Sequence, residues 1–330
     1  MVDLQDKHSF SLPAKSAHLV TLRHLADIAA LEWRADSFIL GEGSNTVFLR
    51  DFTGHLILNQ LKGFTIVEQE DAFDVEIAGG ENWHSCVAQL ISQGIYGLEN
   101  LALIPGSVGA APIQNIGAYG VEVSEFIEMV HGVDLTTHRP FQLSHAECQF
   151  GYRDSVFKRP ECNGWLITKV SFRFPKAWQP KLNYPDLTTL PATASAMDIF
   201  NHVVKVRQQK LPDPKILPNA GSFFKNPIIS VQQCRRLRKR YPDIRFFELP
   251  DGQCKLAAAW LIDQAGLKSL RVGGAGVHQR QALVLVNLNK ATGDDLIQLA
   301  QQVCKQIKQR FDVILEPEVR LLGSSGLIEL

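Results

Sequence analysis

Residues 40–49 read LGEGSNTVFL, and the fold class turns on the residues after the two glycines. Gly41 and Gly43 permit a tight turn whose backbone N–H groups converge on an anion, with Ser44 and Asn45 as further donors. A dinucleotide-binding Rossmann turn needs a third glycine and a helix directly after it. Here Thr46 to Arg50 has the apolar character of a strand instead. The stretch argues against a Rossmann fold. It fits an anion-binding turn or a plain Gly-rich β-turn, and its own residues do not choose between them.

Around it, short strand-like runs alternate with turns: SFIL (37–40), HLILN (55–59) and FDVEIAG (73–79). ENWHSCVAQLISQG breaks that rhythm. Trp83, Val87, Leu90 and Ile91 recur at helical spacing, and Gly94 fits a C-terminal cap. In IPGSVGAAPIQNIGAYG (104–120), Gly106, Gly109, Ala110, Ala111, Gly117 and Gly120 leave a long stretch of nearly bare backbone. Such backbone suits close approach by a flat or phosphate-bearing ligand, or tight packing of a loop on a sheet. Two such loops in one chain favour a large phosphorylated cofactor, because each supplies amides and neither supplies chemistry. Strand-like sequence resumes at WLITKVSFRF (165–174).

The totals narrow the class. The chain has 330 residues, enough for two or three domains, with 45% hydrophobic and 21% charged residues, as in an ordinary globular enzyme. Its 34 basic and 34 acidic side chains cancel, which argues against a general nucleic-acid binder. Six cysteines are scattered with no CxxC pair, so reduced thiols are expected and a zinc site is not. The N-terminus MVDLQDKHSF lacks the apolar core of a signal peptide, and no apolar run has transmembrane length. A cytoplasmic protein is expected, without a membrane partner or a bound metal.

The second half changes character. Ile199, Phe200, Val203 and Val204 predict a helix over 196–210, ended by the three prolines of LPDPKILP, where a domain boundary is placed. Helices are predicted over 230–240, over 255–265 before Gly266, and over 292–310, with a strand at 282–287. A final strand, VILEPEVRLLG, is interrupted or placed at an edge by Pro317. The fold class read from these elements is α+β.

Three polar motifs stand out. In FGYRDSVFK (150–158), Arg153 is a fixed cation beside Tyr152 that Asp154 can orient, or half of a surface ion pair. In NAGSFFKNP (219–227), Ser222 lacks the surroundings of a hydrolase nucleophile elbow and is either a positioned proton donor or a turn serine. In EPEVR (316–320), Glu316, Glu318 and Arg320 share one strand face, solvated or built for a ligand. The basic run CRRLRKR (234–240) is read as a solvated face or a phosphate-steering one, and His278 as structural.

Taken in order, LGEGSN, GLENLALIPGSVGAAPIQNIGAYG, FGYRDSVFK, KLPDP, NAGSFFKNP, LAAAWLIDQAGLK, GGAGVHQRQALVLVN and EPEVR resemble the bacterial UDP-N-acetylenolpyruvoylglucosamine reductases (MurB). KLNYPDL, around Tyr184, resembles the subtype with a substrate-covering tyrosine loop. The resemblance implies an FAD-binding domain of the vanillyl-alcohol-oxidase (PCMH) type in two subdomains, 1–64 joined by 317–330 and 65–208, and a substrate domain over 209–316. It implies non-covalent FAD held by Gly41, Glu42, Gly43, Ser44, Asn45, Pro105, Gly106, Ser107, Gln114, Asn115, Ile116, Gly117, Tyr119, Ile167, Arg207 and Arg320.

It further implies that NADPH reduces the flavin and leaves, after which UDP-N-acetylglucosamine enolpyruvate is reduced to UDP-N-acetylmuramate for peptidoglycan synthesis. Hydride passes from flavin N5 to C3 and a proton from Ser222 to C2, while Arg153 and Glu318 stabilise the intermediate. Tyr184, Lys210, Asn226 and Gln281 match positions that contact the UDP portion. A monomer is expected. Two positions depart from the family pattern: HSFS (8–11) replaces an Asn-Thr-Phe signature, and Pro218 stands where glycine is common. Another flavoenzyme of this fold, or a non-catalytic nucleotide-sugar binder, are the competing readings.

Overall fold

In the computed structural model, which describes Met1–Leu330, the residues after Gly43 form a strand, Thr46–Phe48. The chain divides into two compact units. One comprises Met1–Ala17, Gly43–Thr53 and Lys210–Leu330; the other comprises His18–Glu42 and Gly54–Gln209. The divisions expected at 64, 208 and 316 partition the chain differently, since residues 1–64 are shared between these two units.

The unit of His18–Glu42 and Gly54–Gln209 contains a five-stranded antiparallel sheet in the order Arg139–Ser144, Ile127–Asp134, Trp165–Pro175, Ala72–Ala78 and Phe64–Glu68. The central strand is paired on both sides, and a bulge shifts its register opposite His131 and Gly132. That bulge switches the alternation of faces, so Ile167 joins Val170, Phe172 and Phe174 in one core, whereas Leu166 joins Leu22 and Ile57 in another. Against the latter set pack Trp83, Cys86, Val87, Leu90 and Ile91 of helix α1 (Trp83–Ser92), each burial stabilising by roughly 1.5–3 kcal/mol for a large side chain. The helix starts where Asn82 caps Ser85 N–H, and the chain leaves it through Gly94 at φ 78°. Helix α2 (Ala196–Lys210) ends this unit; Ile199 and Val203 pack on Ala102, Leu187 and Ala194.

In the other unit, Asn219–Ser222, Val284–Asn287, Ala275–Val277 and Arg271–Val272 form an antiparallel sheet in that order. A second sheet orders Ile228–Ile229, Cys254–Leu256 and Phe246–Glu248. Helices α3 (Val231–Arg240), α4 (Ala258–Gln264) and α5 (Gly293–Phe311) complete it. The face of α5 read from the sequence is the buried one, Leu296, Leu299, Ala300, Val303 and Ile307, and a Thr292–Asp295 capping box sets its start.

Two expectations are corrected here. The helix expected from Lys255 begins at Ala258, because Cys254–Leu256 is a strand paired on both sides, with Cys254 and Leu256 buried. The strand expected over VILEPEVRLLG is reduced to Arg320–Leu322, which pairs parallel with Thr46–Phe48. Upstream the burial still alternates, but Pro317 has no N–H to give a ladder, and only an isolated Phe224–Pro317 bridge forms. No helix is long and apolar enough to cross a membrane.

Candidate active site

Ser222 ends its strand on a bulge. Asn219 pairs with Val286 and Ser222 with Val284, so one extra residue sits on the serine strand. Gly221 absorbs it at φ 70°, a left-handed conformation that explains the glycine before the serine. Such a bulge re-aims the next side chain. Phe223 and Phe224 fix the backbone beyond: both are fully buried, packed edge to face with centroids 5.0 Å apart. Phe223 N–H donates to Leu283 C=O (2.8 Å), and Phe223 C=O accepts from Glu318 N–H (2.8 Å).

The same network reaches the glycine turn. Asn45 Nδ2 donates to Glu318 C=O (3.1 Å), and Arg320 N–H donates to Asn45 C=O (2.9 Å). Ser222, Glu318, Arg320 and Asn45 therefore occupy neighbouring backbone positions, although they come from three distant stretches. Glu316 lies apart, exposed and paired with Lys225 (3.3 Å), so the three charges of EPEVR do not act as one face. Beneath the turn runs His8–Ser11: Ser9 N–H donates to Gly43 C=O (3.1 Å), and Ser9 C=O accepts from Asn219 N–H (3.0 Å). Gly43, at φ 68°, lies so close to Lys7 that an added Cβ would sit 1.9 Å from its carbonyl oxygen. HSFS thus clips the glycine turn to the serine strand. Burial of His8 depresses its pKa to about 4, so its ring is neutral there, held by Leu12 C=O (3.1 Å).

In the other unit, Gly41 comes directly after the strand Phe38–Leu40 and abuts the bare-backbone loop; a Cβ on it would lie 2.6 Å from Ser107 Oγ. Glu42 accepts two hydrogen bonds from Asn82 Nδ2 (2.8 and 3.0 Å). Gly106 C=O accepts from Trp83 N–H, and the buried Ser107 bridges to Asn82. Pro105 is exposed, and Gln114 and Ile116 are half-buried. Asn115 is buried at φ 44°, and its amide is engaged by the protein, with Glu122 (2.7 Å), Gly151 C=O (3.2 Å) and Ser124 N–H (3.1 Å). Ile167 points its side chain into the sheet core, and its C=O accepts from Asn59 Nδ2 (2.9 Å). These two residues shape the loop and the sheet behind it.

Arg153, at φ 53°, donates from Nη2 to Gly117 C=O (3.0 Å) and lies 5.5 Å from the Tyr152 ring centroid. Of the two readings of Asp154, its contacts favour an ion pair. That carboxylate is forked by Arg159 at 3.1 and 2.8 Å, because the two sit on adjoining tight turns. Arg207, on α2, is hydrogen-bonded to Tyr119, and its Nε is buried with no hydrogen-bond partner. Burial depresses its pKa most, and the nearby Arg153 charge adds to the effect. Burial also depresses His84, whose neighbour is Arg207, and raises Tyr119 and Tyr184. The two tyrosine rings meet edge on at 5.3 Å.

A desolvated cation with an orphaned N–H, beside a loop of bare glycines, is a site made for an anion. In the first unit Arg320 is likewise desolvated, its pKa pushed down to about 10 by burial. No group of three or more His, Cys, Asp or Glu is placed to hold a metal.

Comparison with known proteins agrees. Residues 16–139 match the profile of an FAD binding domain, and residues 212–322 that of the UDP-N-acetylenolpyruvoylglucosamine reductase C-terminal domain. The UDP-N-acetylenolpyruvoylglucosamine reductase of Idiomarina loihiensis is 51% identical over 330 residues, spanning 100% of this chain and 99% of that one. The chain belongs to this reductase family. The Escherichia coli reductase is 49% identical over 289 residues, 87% of this chain and 84% of its own. The crystal structure of the Thermus caldophilus reductase has the same fold, with a TM-score of 0.66, 24% identity and 97% coverage of both chains. The α+β, FAD-binding fold that the resemblance implied is the fold of the reductase family.

Of the expected substrate contacts in this reductase, Asn226 has its amide oxygen on Ala258 N–H (2.9 Å), at the start of α4. Gln281 sits in a turn, its N–H on His278 Nδ1 (3.1 Å). Lys210 is exposed at the end of α2, and Tyr184 is half-buried. Sequence reasoning missed two asparagines. Asn219 is buried and binds Pro212, Leu217 and Gly221, while Asn287 binds Phe10, Ser11 and Ala291. Only Asn287 had a signal in sequence, an asparagine ending the apolar strand Val284–Asn287, which in a core must be hydrogen-bonded.

Proposed function

We propose that this family member reduces UDP-N-acetylglucosamine enolpyruvate to UDP-N-acetylmuramate with Ser222 as the proton donor to C2. The observation that supports the assignment is the Gly221 bulge, which aims Ser222 while Phe223 C=O holds Glu318 N–H. FAD, reduced by NADPH, supplies the hydride when bound. Gly41–Asn45, Pro105–Ser107, Gln114–Gly117, Tyr119, Ile167, Arg207 and Arg320 are the residues that would hold it. Asn115 and Ile167 support that set from behind.

Ser222 gives its hydroxyl proton to a strongly basic carbanion, and Glu318 acts with Arg153 to bind and stabilise that intermediate. Arg153, with its cation fixed on Gly117 C=O, stabilises charge that develops on the substrate carboxylate. One such preorganised donor contributes roughly 3–4 kcal/mol in comparable sites. Lys210 acts as a point charge for a phosphate, and Tyr184, Asn226 and Gln281 contact the UDP portion. Residues 1–64 with 317–330, and 65–208, serve FAD, and 209–316 the nucleotide sugar. The protein works as a cytoplasmic monomer without nucleic-acid or membrane partners.

Measuring NADPH oxidation with and without the enolpyruvyl nucleotide sugar tests this reading. Purified protein is expected to be yellow, to release FAD on heating, and to turn over NADPH only when the sugar is present. A colourless protein that FAD does not reconstitute contradicts it, as does rapid oxygen-dependent turnover without the sugar.

A further inference from the structure

The motif GLEN (97–100) carries a buried carboxylate and a buried amide to which the proposed chemistry gives no task. Asn100 is completely buried, and its Nδ2 donates to two carbonyls at once: Tyr119 C=O (2.9 Å), in the bare-backbone loop, and Lys181 C=O (3.0 Å), three residues before Tyr184. Glu99, next to it, accepts from Gly97 N–H (2.7 Å) and from Trp178 Nε1 (2.7 Å). Trp178 lies edge on to Tyr96, with ring centroids 5.3 Å apart, and Lys181 is ion-paired with Glu125. Downstream, Leu187 is fully buried on Ala102, Ile199 and Val203. The segment from Trp178 to Leu187 is thus held at three points, and Tyr184 lies between the last two, with its ring against Tyr119.

From this geometry we infer that Asn100 and Glu99 are positioning residues for the Tyr119–Tyr184 pair. Asn100 ties the cofactor loop to the tyrosine segment through one amide, so the two rings keep their edge-on contact. Glu99 fixes the entry to that segment through Trp178. A carboxylate is chosen because one oxygen takes a backbone N–H while the other takes an indole N–H, both as charge-assisted bonds. Burial raises its pKa, and those two donors offset part of that cost. The inference rests on the reading that Tyr184 contacts the nucleotide sugar.

The test uses the FAD-loaded enzyme and three variants. Trp178→Phe keeps an aromatic ring but removes the indole donor; Asn100→Ala removes the double tether; Tyr184→Phe reports on the tyrosine itself. Trp178→Phe and Asn100→Ala are expected to raise KM for the enolpyruvyl nucleotide sugar by about three- to tenfold, one to two lost hydrogen bonds. NADPH reduction of the flavin should stay unchanged, and proteolysis within 176–195 should become faster. Glu99→Gln, which keeps an acceptor for Trp178, should be milder than Glu99→Ala. If Tyr184→Phe raises KM while both tether variants leave it unchanged, the tether is overturned and the tyrosine reading stands. If all three leave KM unchanged, both are overturned. Should Asn100→Ala not fold, Trp178→Phe decides alone.

Discussion

Ser222, Glu318 and Asn45 are held in place by main-chain hydrogen bonds, whereas Arg207 is held largely by a tyrosine side chain and leaves a buried N–H without a partner. The first region is finished before any ligand arrives. Its groups stay in place because the bulge at Gly221, the Phe223–Glu318 bond and the Arg320–Asn45 bond leave the backbone one arrangement. In the second region burial shifts an arginine and two tyrosines toward their neutral forms, opposed only in part by the Arg207–Tyr119 contact. That is the profile of a site whose ligand completes it. Under the proposed function, proton transfer depends on placement and cofactor binding on charge, which matches how the two regions are built.

The contrast can be attacked first at the glycine turn. Gly43→Ala forces a Cβ against Lys7 C=O at a positive φ, so a loss of about 3 kcal/mol is expected from overpacking and left-handed strain together. Thermal unfolding and FAD content of the purified variant measure it; an unshifted Tm would mean the HSFS clip does not fix the turn.

His8 probes the same clip by pH. Its pKa falls from 6.5 to about 4 on folding. Between those values the unfolded chain takes up a proton that the folded chain refuses. Stability contributed by the neutral ring is therefore complete above about pH 6.5 and lost as pH falls through about 4, up to about 3 kcal/mol in all. His8→Gln should flatten that part of the stability–pH curve, and denaturant unfolding at pH 7 and pH 5 checks it.

On the electrostatic side, Arg207→Met should weaken FAD binding about ten- to hundredfold, the loss of a charge-assisted contact. The apo protein should be no less stable, since an underpartnered buried cation is removed. Titration with FAD and apo-protein Tm separate the two effects, and a destabilised apo variant would place Arg207 among the structural groups. A smaller stability loss than at Gly43 is expected for Gly221→Ala. Nothing lies within 4 Å of the added Cβ, so only the φ 70° strain counts, about 1 kcal/mol. Substrate reduction should suffer more than stability, because Ser222 is re-aimed.

Much of this was legible before the fold was known. The strand after GEGSN excluded a Rossmann turn, and the helical spacing of α1 and α5 named their buried faces. What spacing does not record is pairing between distant stretches. EPEVR read as a strand with three charges on one face, yet Glu316 turned to Lys225 once Pro317 broke the ladder. Asp154 stood beside Arg153 in sequence, but adjoining turns gave it to Arg159. Asn100 and Asn219 carried no motif chemistry at all. Their importance comes from carbonyls brought to them by folding, which no local pattern encodes.

Ser222→Ala, monitored anaerobically through both half-reactions, tests the central claim most directly. Flavin bleaching by NADPH should keep its rate. Reoxidation by the enolpyruvyl nucleotide sugar should slow by roughly 10²–10⁴-fold, the range of a lost general acid. Equal losses in the two half-reactions, or reoxidation at the unaltered rate, would contradict it and leave Ser222 a structural serine at the end of a bulged strand.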